Sequence, residues 1–491
     1  MHTRRSMLLV TVDCLRADHV GFMGYRSPTT PFLDSLAKDS YVVPTAIVAG
    51  TPTYYSLPAI FASRFPLALG RDMLGIAPSE PTLTTVLQQA GYATACFAAA
   101  NPYISPRFGF EQGFDRFRDF LESDAIEPAA PGSSDANRSG WASHINRVLQ
   151  KIRPAMGPIG KVYDELYFEY CQRITPVPDS LDALRMFPSA DVIVDHAIEW
   201  LSCISDSPFF LWLHFMDPHS PYYPKYSALS ALSSQPIAPQ RARYINSYWK
   251  RTDIGPMRLA KFREEIVALY DAGVRWVDEQ LRRLVASLDT SNRWGSCVFA
   301  LTADHGEEFL DHGGRYHPPS HLKEELIHVP LLLRIPEAQT SKPKESPFSL
   351  IHLAPTLLDA LGESAPAKFH GKSQLSRLKS AQDFETPAIS ECVAGCTNPF
   401  RSENRKGPRV LSVRESRYKL IKNFGTGVEN LYDLKSDPAE QSPLPTSVQK
   451  GIYRHLLEVA LDHLRFSAQE HNDRLRIAAF LRERRLEWLM S

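Results

Sequence analysis

Two threonines stand two apart in the stretch AIVAGTPTYYSLPAIFASRFP, residues 46–66: Thr51 and Thr53. Gly50 and Pro52 flank them, and the apolar run that follows predicts a helix. A threonine before a helix is a common N-cap. A hydroxyl at the positive end of a helix also suits a nucleophile that must meet an anion. Acids and histidines recur where apolar runs end: Asp13 after MLLVTV, Asp217 and His219 after PFFLWLHFM, Asp304 and His305 after CVFALTA. Neighbouring residues on a strand point to opposite faces, so Asp304 and His305 converge on one ion only where the chain leaves the strand. Carboxylates with an imidazole suit Zn²⁺ or Mn²⁺ better than Ca²⁺ or Mg²⁺, which prefer oxygen alone. With Asp13 and a threonine hydroxyl added, such an ion would acidify the hydroxyl and neutralise one oxygen of a phosphoryl or sulfuryl group. His219 and His317, in the Pro-rich loops MDPHSPYYP and GGRYHPPSH, are the candidates to bind the other oxygens and protonate the leaving group. Arg16 reads as an ion-pair partner of its own loop, with substrate contact as the alternative. Lys323 reads either as helix surface or as a contact to a substrate oxygen. Glu307 and Glu308 read as supporting or solvated groups, and His312 and His321 carry no assignment.

Elements must bring these segments together. Short apolar runs alternate with helical patterns: TTPFLDSLAKDS, DVIVDHAIEWLSCI and the long FREEIVALYDAGVRWVDEQLRRLVASL are helix-like, and HVPLLLRIP is a further strand. This alternation predicts an α/β fold with a largely parallel sheet flanked by helices. Polar residues just after apolar strands then gather at the carboxyl edge of the sheet, where ligands bind. Residues 123–146, rich in Pro, Gly, Ser and Ala, read as a surface insertion or mobile loop. Residues 226–255 read as irregular and could overhang the site. VLSVRESRYKLIKNFGTGVENLYDLKSDPAEQ predicts two antiparallel strands joined near Gly425–Gly427, and the tail from Ser447 to Met490 predicts a charged helix packed on the body or in a dimer contact.

Composition narrows the function classes. Lys plus Arg and Asp plus Glu both number 55, so no net field draws the chain to nucleic acid or an anionic membrane. Seven scattered cysteines do not read as a disulfide framework. Arg4 and Arg5 suggest an export signal, but Asp13 interrupts an apolar stretch already too short for one. No segment is apolar enough to span a bilayer, and the expected compartment is the cytoplasm.

Spread along the chain in order, VTVDCLRADHVGFMGYRSPTTPFLDSLAKDS, GYATACFAAANPYISPRFGFEQGFDRF, PFFLWLHFMDPHSPYYP, LTADHGEEFLDHGG, EELIHVPLLLRIP and ENLYDLKSDPAEQ resemble sulfatase-like members of the alkaline phosphatase superfamily. The resemblance implies an α/β sandwich: a large, mostly parallel sheet between helices and a smaller C-terminal part with a short antiparallel sheet. Expected bounds are 1–345 for the catalytic domain, with an insertion at about 121–190, then 346–446 for the smaller part and 447–491 for the helical tail. Sulfatases carry Cys-x-Pro-Ser-Arg, whose Cys or Ser becomes formylglycine. Aligned through SRFP, this chain has Thr53 in place of that Cys and Leu57 in place of the Arg. Formylglycine does not form from threonine. GTPTYYSLPAIF is instead similar to the nucleophile segment of phosphoethanolamine transferases and, more loosely, lipoteichoic acid synthases, where a metal-bound threonine is transiently phosphorylated.

That resemblance implies Thr53, rather than Thr51, as the nucleophile. It implies Asp13, Thr53, Asp304 and His305 as ligands of one divalent ion, Zn²⁺ or Mn²⁺ before Ca²⁺. His219 and His317 match histidines near the phosphoryl group. Asn101 lies where sulfatases place a substrate-binding pair. The expected function is metal-dependent phosphoryl transfer through phospho-Thr53, on a phosphate mono- or diester, to water or to an alcohol acceptor. Sulfate ester hydrolysis without formylglycine and a non-catalytic anion-binding homologue are the alternatives. The sequence does not fix the oligomeric state.

Overall fold

The computed structural model describes residues 4–121, 157–176, 179–204, 207–319, 321–337, 345–384 and 387–483. The expected insertion at residues 123–146 lies outside them. Among the described residues, ten strands precede residue 350: β1 Met7–Val12, β2 Tyr41–Ile47, β3 Ala93–Ala98, β4 Arg116–Arg118, β5 Phe209–Phe215, β6 Val298–Thr302, β7 Glu308–Phe309, β8 Arg315–Tyr316, β9 His328–Arg334 and β10 Phe348–Ser349. All but the β7–β8 hairpin form one sheet in the order β10-β2-β9-β6-β1-β5-β3-β4. The chain is an α/β protein with a large, mostly parallel sheet, as its alternating pattern predicts.

Strand β1 is the pivot. It pairs in parallel with β5 on one side and β6 on the other. Every residue of β1 and β5 is buried, as expected of strands covered on both faces. Strand β3 continues the parallel set beyond β5. Strand β9 runs antiparallel to both β6 and β2, so β2 points the same way as β1. The carboxyl ends of β1, β2, β3, β5 and β6 therefore share one edge. Asp13, Thr53, Asn101, His219 and Asp304–His305 all follow those ends.

Helices complete the layers. We label α1 Thr53–Ala62, α2 Ala190–Cys203, α3 Arg263–Thr290, α4 Glu324–Ile327 and α5 Lys450–Glu483. The 28-residue α3 packs along α2, burying the apolar stripe that its three- and four-residue spacing predicts. Residues 226–255 depart from the sequence reading. They hold two helices, Tyr226–Leu232 and Pro239–Trp249. Pro239 sits at the helix start, and Ala242, Ile245 and Trp249 form its buried stripe, a short period easily lost among charges. Asn246 of this helix holds the backbone N–H and C=O of Tyr222 at 2.8 and 3.0 Å, bracing the loop after β5.

A second sheet, β11 Ala388–Val393, β12 Arg409–Arg414, β13 Tyr418–Asn423 and β14 Glu429–Asp433, is antiparallel throughout. The stretch read as two strands holds three of these. A tight turn at residues 415–417, with no Gly or Pro to mark it, divides the first run. Helix α5 lays Leu456 and Ala460 on Leu411, Val413, Leu420 and Leu431 of this sheet.

The two sheets are tied through a buried charge cluster. Lys419, fully buried on β13, lies 3.0 Å from both Glu324 of α4 and Glu440. Arg414 reaches Glu324 at 3.3 Å. Burial pushes the Glu324 carboxyl up, but Lys419 and Arg414 outweigh it and bring it down to about 2. Its contribution to stability is then present above about pH 4.5, its ordinary value, and is lost as pH falls toward 2. Replacing Lys419 with Met removes the cation 3.0 Å from the buried Glu440 carboxylate and leaves Glu324 with Arg414. Urea denaturation at pH 7 is expected to show a loss of about 3–5 kcal/mol, and an unchanged midpoint would refute this account of the clamp.

Candidate active site

Helix α1 starts at Thr53, with Pro52 in the cap position and no side chain capping the helix. The N-cap reading of the threonines therefore fails: Thr53 is already helical, and the buried Thr51 hydroxyl has no hydrogen-bond partner. All ten residues of α1 are buried, so this helix fixes its first side chain rigidly. A methyl on Gly50 would come within 2.6 Å of the Glu391 carbonyl, so only glycine lets the approach to Thr51 pass under β11.

The Thr53 hydroxyl lies 3.3 Å from His305 Nε2. Asp304 Oδ2 is 3.5 Å from that nitrogen and Asp13 Oδ1 is 3.7 Å. Asp13, Asp304 and His305 are fully buried. His305 Nδ1 gives its hydrogen to the Gly306 carbonyl at 2.8 Å, which leaves Nε2 as a bare lone pair facing oxygens. A side chain on Gly306 would strike the Glu325 carbonyl, so this turn is pressed against α4.

Two carboxylates and a lone pair crowd together with one hydroxyl proton among them. Asp304 Oδ2 has no hydrogen-bond partner although it is buried. Burial and the facing Asp13 push the Asp304 carboxyl up. Burial opposes ionisation of Asp13 as well, yet His219, His214 and His305 together hold it far below the carboxylate range. Adjacent ligands about 2.1 Å from a tetrahedral ion stand roughly 3.4 Å apart. The spacings at His305 Nε2 match that value, and the oxygen–nitrogen donor set suits Zn²⁺ or Mn²⁺. The residues present can hold a divalent ion: ligand atoms of Asp13, Cys14 and His305 all lie within 4.8 Å of one another, and Asp304 Oδ2 and the Thr53 hydroxyl stand beside His305 Nε2.

Around this centre stand the other predicted residues. The His219 and His317 ring centroids are 5.3 Å apart, and the His317 ring lies tilted against His305 at 4.6 Å between centroids. His219 Nδ1 donates to the Ser220 carbonyl at 2.6 Å, which frees Nε2. Burial lowers the His219 pKa, while the neighbouring Glu307 more than offsets burial at His317 and raises it. Asn101 donates to Asp13 Oδ2 at 2.8 Å, so its amide is spent on orienting an acid rather than on substrate. Arg16 is likewise committed: it bonds Asp18, Asp311 and the Glu307 carbonyl at 2.8–2.9 Å and ties the loop after β6 to the loop after β1. Lys323 is directed elsewhere. Its Nζ bonds the Tyr432 hydroxyl at 2.6 Å and the Glu440 carbonyl at 3.1 Å, in the C-terminal part of the molecule. Asp217 pairs with Arg185 at 2.6 Å and stabilises its own loop.

Sequence reasoning missed His214. It is fully buried in mid-strand β5, with Nδ1 2.8 Å from the Thr11 hydroxyl and Nε2 3.4 Å from Asp13 Oδ2. Trp212 Nε1 donates to the same Thr11 oxygen at 2.9 Å, so Thr11 ties the His214 ring to the sheet with its Nε2 turned toward Asp13. A histidine inside an otherwise apolar strand was the signal available. Cys14, next to Asp13, was also missed; its Sγ lies 3.1 Å from Asp13 Oδ1.

The sulfatase family model matches residues 5–363, nearly three quarters of the sequence. The chain belongs to the sulfatase family. The C-terminal model of N-sulphoglucosamine sulphohydrolase matches residues 314–465 of this sulfatase-family chain. Arylsulfatase K of Xenopus laevis is 24% identical over 307 residues, 57% of this chain and 56% of that protein. The chain thus spans about half the length of the first curated relatives it matches. A protein solved with its substrate D-glucosamine-2-N,6-O-disulfate superposes with a TM-score of 0.66 at 16% identity, covering 95% of this chain and 99% of that one. The phosphonate monoester hydrolase of Agrobacterium radiobacter gives 0.64 at 18% identity, covering 95% and 96%. At these identities the superpositions bear on the fold: this chain has the architecture of solved sulfatases and phosphonate monoester hydrolases.

The Thr11–His214–Asp13 chain predicts a support role for His214. His214→Ala is expected to weaken binding of the divalent ion about 10- to 100-fold in chelator competition. Unaltered affinity would separate His214 from the metal centre.

Proposed function

We propose that this sulfatase-family chain is a divalent-metal-dependent phosphoryl-transfer enzyme, a phosphate mono- or diester hydrolase or phosphotransferase, with Thr53 as its covalent nucleophile. The observation that carries the reading is the Thr53 hydroxyl, fixed at a buried helix start against His305 Nε2 and beside Asp304, where the family's modifiable Cys or Ser is absent. Bound among Asp13, Thr53, Asp304 and His305, the ion supplies positive charge that favours the Thr53 alkoxide and draws in a substrate oxygen.

The Thr53 hydroxyl releases its proton to solvent, its oxygen attacks phosphorus in line, and the bond from phosphorus to the leaving oxygen breaks. His317, whose proton Glu307 helps to hold, is placed to protonate that oxygen. His219, kept neutral by burial, is placed to take a proton from the water or alcohol that then cleaves phospho-Thr53. Two histidines with pKa values pushed in opposite directions suit an acid and a base. The open end of α1 faces the same anion with its backbone dipole. No described helix is long and apolar enough to cross a membrane, and the reading leaves the acceptor open.

Sulfate ester hydrolysis is the second reading, favoured by the arylsulfatases among the relatives. It would use the same metal-bound Thr53. Rates on aryl sulfate and on aryl phosphate mono- and diesters, measured side by side, decide between the two readings.

Incubation with an aryl phosphodiester, acid quench and peptide mapping are expected to find phosphate on Thr53. An adduct on another residue would contradict the assignment. Thr53→Ala is expected to lose activity on the order of 10³-fold or more, with Thr53→Ser retaining part of it. His317→Ala is expected to slow esters with poor leaving groups far more than those with acidic phenols. An equal loss on both would remove His317 as the acid.

A further inference from the structure

A cavity of about 820 Å³ lies where helix α5 meets the loop after α1 and the start of β12. It shares no lining residue with the Asp13–His305 centre. Its charged wall is basic: Arg71, Lys406 and Arg409 line it against one acid, Asp72. The Asp72 carboxylate is 88% exposed and pairs with Arg405 at 3.2 Å, so it is turned to the rim. Arg71 donates to the carbonyls of Lys406 and Gly407 at 3.1 and 2.5 Å, and Arg409 donates to the Leu67 carbonyl at 3.1 Å. Those bonds fix two guanidinium groups without cancelling their charge. Arg409 Nε stands 3.8 Å from Glu391, a looser contact than Glu391 makes with the Leu67 N–H at 2.7 Å or with His463 at 3.2 Å. Lys406 is exposed and forms no ion pair among the described residues. A cleft lined by one sign of charge concentrates ions of the other sign.

Two polar atoms at this wall lack partners. Ser467 and His471, one turn apart on α5, both line the cavity. The Ser467 hydroxyl is buried, and neither it nor His471 Nδ1 has a hydrogen-bond partner. Gly70, at φ 90°, lets the His471 ring lie on the loop after α1; a methyl there would come 2.7 Å from Nδ1. Phe424 and Leu464 make an apolar wall beside the charges. The volume is that of a small-molecule site and far exceeds a bare oxyanion. A larger neighbouring cavity of about 1210 Å³ offers a contrast. There Arg64 pairs with Glu80 at 2.5 Å, and Lys368 is matched by Asp462 and Glu470. Its charges offset one another and call for no ion.

We propose that the basic cavity binds a small organic oxyanion, with a phosphate, phosphonate or sulfate group on Arg71, Lys406 and Arg409 and an apolar carrier on Phe424 and Leu464. The guanidinium groups supply planar donors held in place, and Lys406 adds a mobile charge. Rotation about one bond brings the Ser467 hydroxyl onto the bound group. Binding is non-covalent: no bond forms or breaks. The site stands independently of the chemistry proposed for Thr53.

The test uses the full chain and anilinonaphthalenesulfonate, an aromatic sulfonate that fluoresces when bound and, not being an ester, is not hydrolysed. Saturable binding is expected. It should weaken about tenfold or more in Lys406→Glu, which reverses one charge, and in Ala468→Trp, which fills the cavity from α5. Lys368→Gln, in the neighbouring cavity, and Thr53→Ala are expected to bind the dye as the parent chain does. Octyl phosphonate and octyl sulfate are expected to displace it at concentrations where octanol and inorganic phosphate do not, and the tighter of the two names the headgroup. Unchanged dye affinity in both Lys406→Glu and Ala468→Trp overturns the site. Binding lost in Lys368→Gln but kept in Lys406→Glu overturns it too, because the dye then sits in the other cavity. Displacement by octanol overturns the oxyanion, and equal displacement by inorganic phosphate overturns the organic carrier.

Discussion

A lone pair aimed at negative oxygens is the constraint around which this molecule is built. His305 gives its only ring proton to a backbone carbonyl and turns Nε2 toward Asp13, Asp304 and Thr53. In water such groups would separate or take up protons. Here the fold holds them together, burial raises the cost of their charges, and a cation among them offsets that cost. The Thr53 hydroxyl lies against that lone pair, and the same cation that relieves the crowding makes that hydroxyl acidic. Structural need and chemical capacity thus arise from one arrangement of charges.

The sheet supplies that arrangement. Parallel pairing of β1 with β5 and β6 places three carboxyl ends side by side, and the reversal of β9 turns β2 to deliver Thr53 to the same edge. Strand β1 is central, so Asp13 is reached from both flanks: by His214 and Asn101 from β5 and the β3 end, and by His305 from β6. Arg16 and Gly306 then fix the two loops, one by hydrogen bonds and the other by close packing on α4. The second sheet stands behind α4 through the Lys419 cluster. The C-terminal part therefore braces the loop that carries Asp304 and His305, although none of its strands supplies a residue to the centre as described.

What could be read from sequence follows the same physics. Asp13, Asp304 and His305 were legible because parallel strands are apolar throughout, and a polar residue at their end stands out. Thr53 was legible as a hydroxyl before a helix, and its choice over Thr51 came from resemblance. His214 was hidden because mid-strand polarity gives no hint of which neighbour it meets; that depends on the register of β5 against β1. Asn101 was placed near substrate because its location was known and its hydrogen bond was not. Lys323 was misread because α4 is only four residues long, and its side chains answer to the second sheet. The helices within 226–255 were missed because their apolar stripes are short and interrupted by Arg and Lys. The extra strand in the C-terminal sheet was missed because its turn lacks the residues that usually mark one.

The most direct test of the central claim is anomalous diffraction at the absorption edge of Mn or Zn, from crystals grown with that ion. The account predicts a peak enclosed by Asp13, Asp304 and His305 and touching the Thr53 oxygen. A metal peak away from these four, or well-ordered crystals with none between Thr53 and His305, would contradict it.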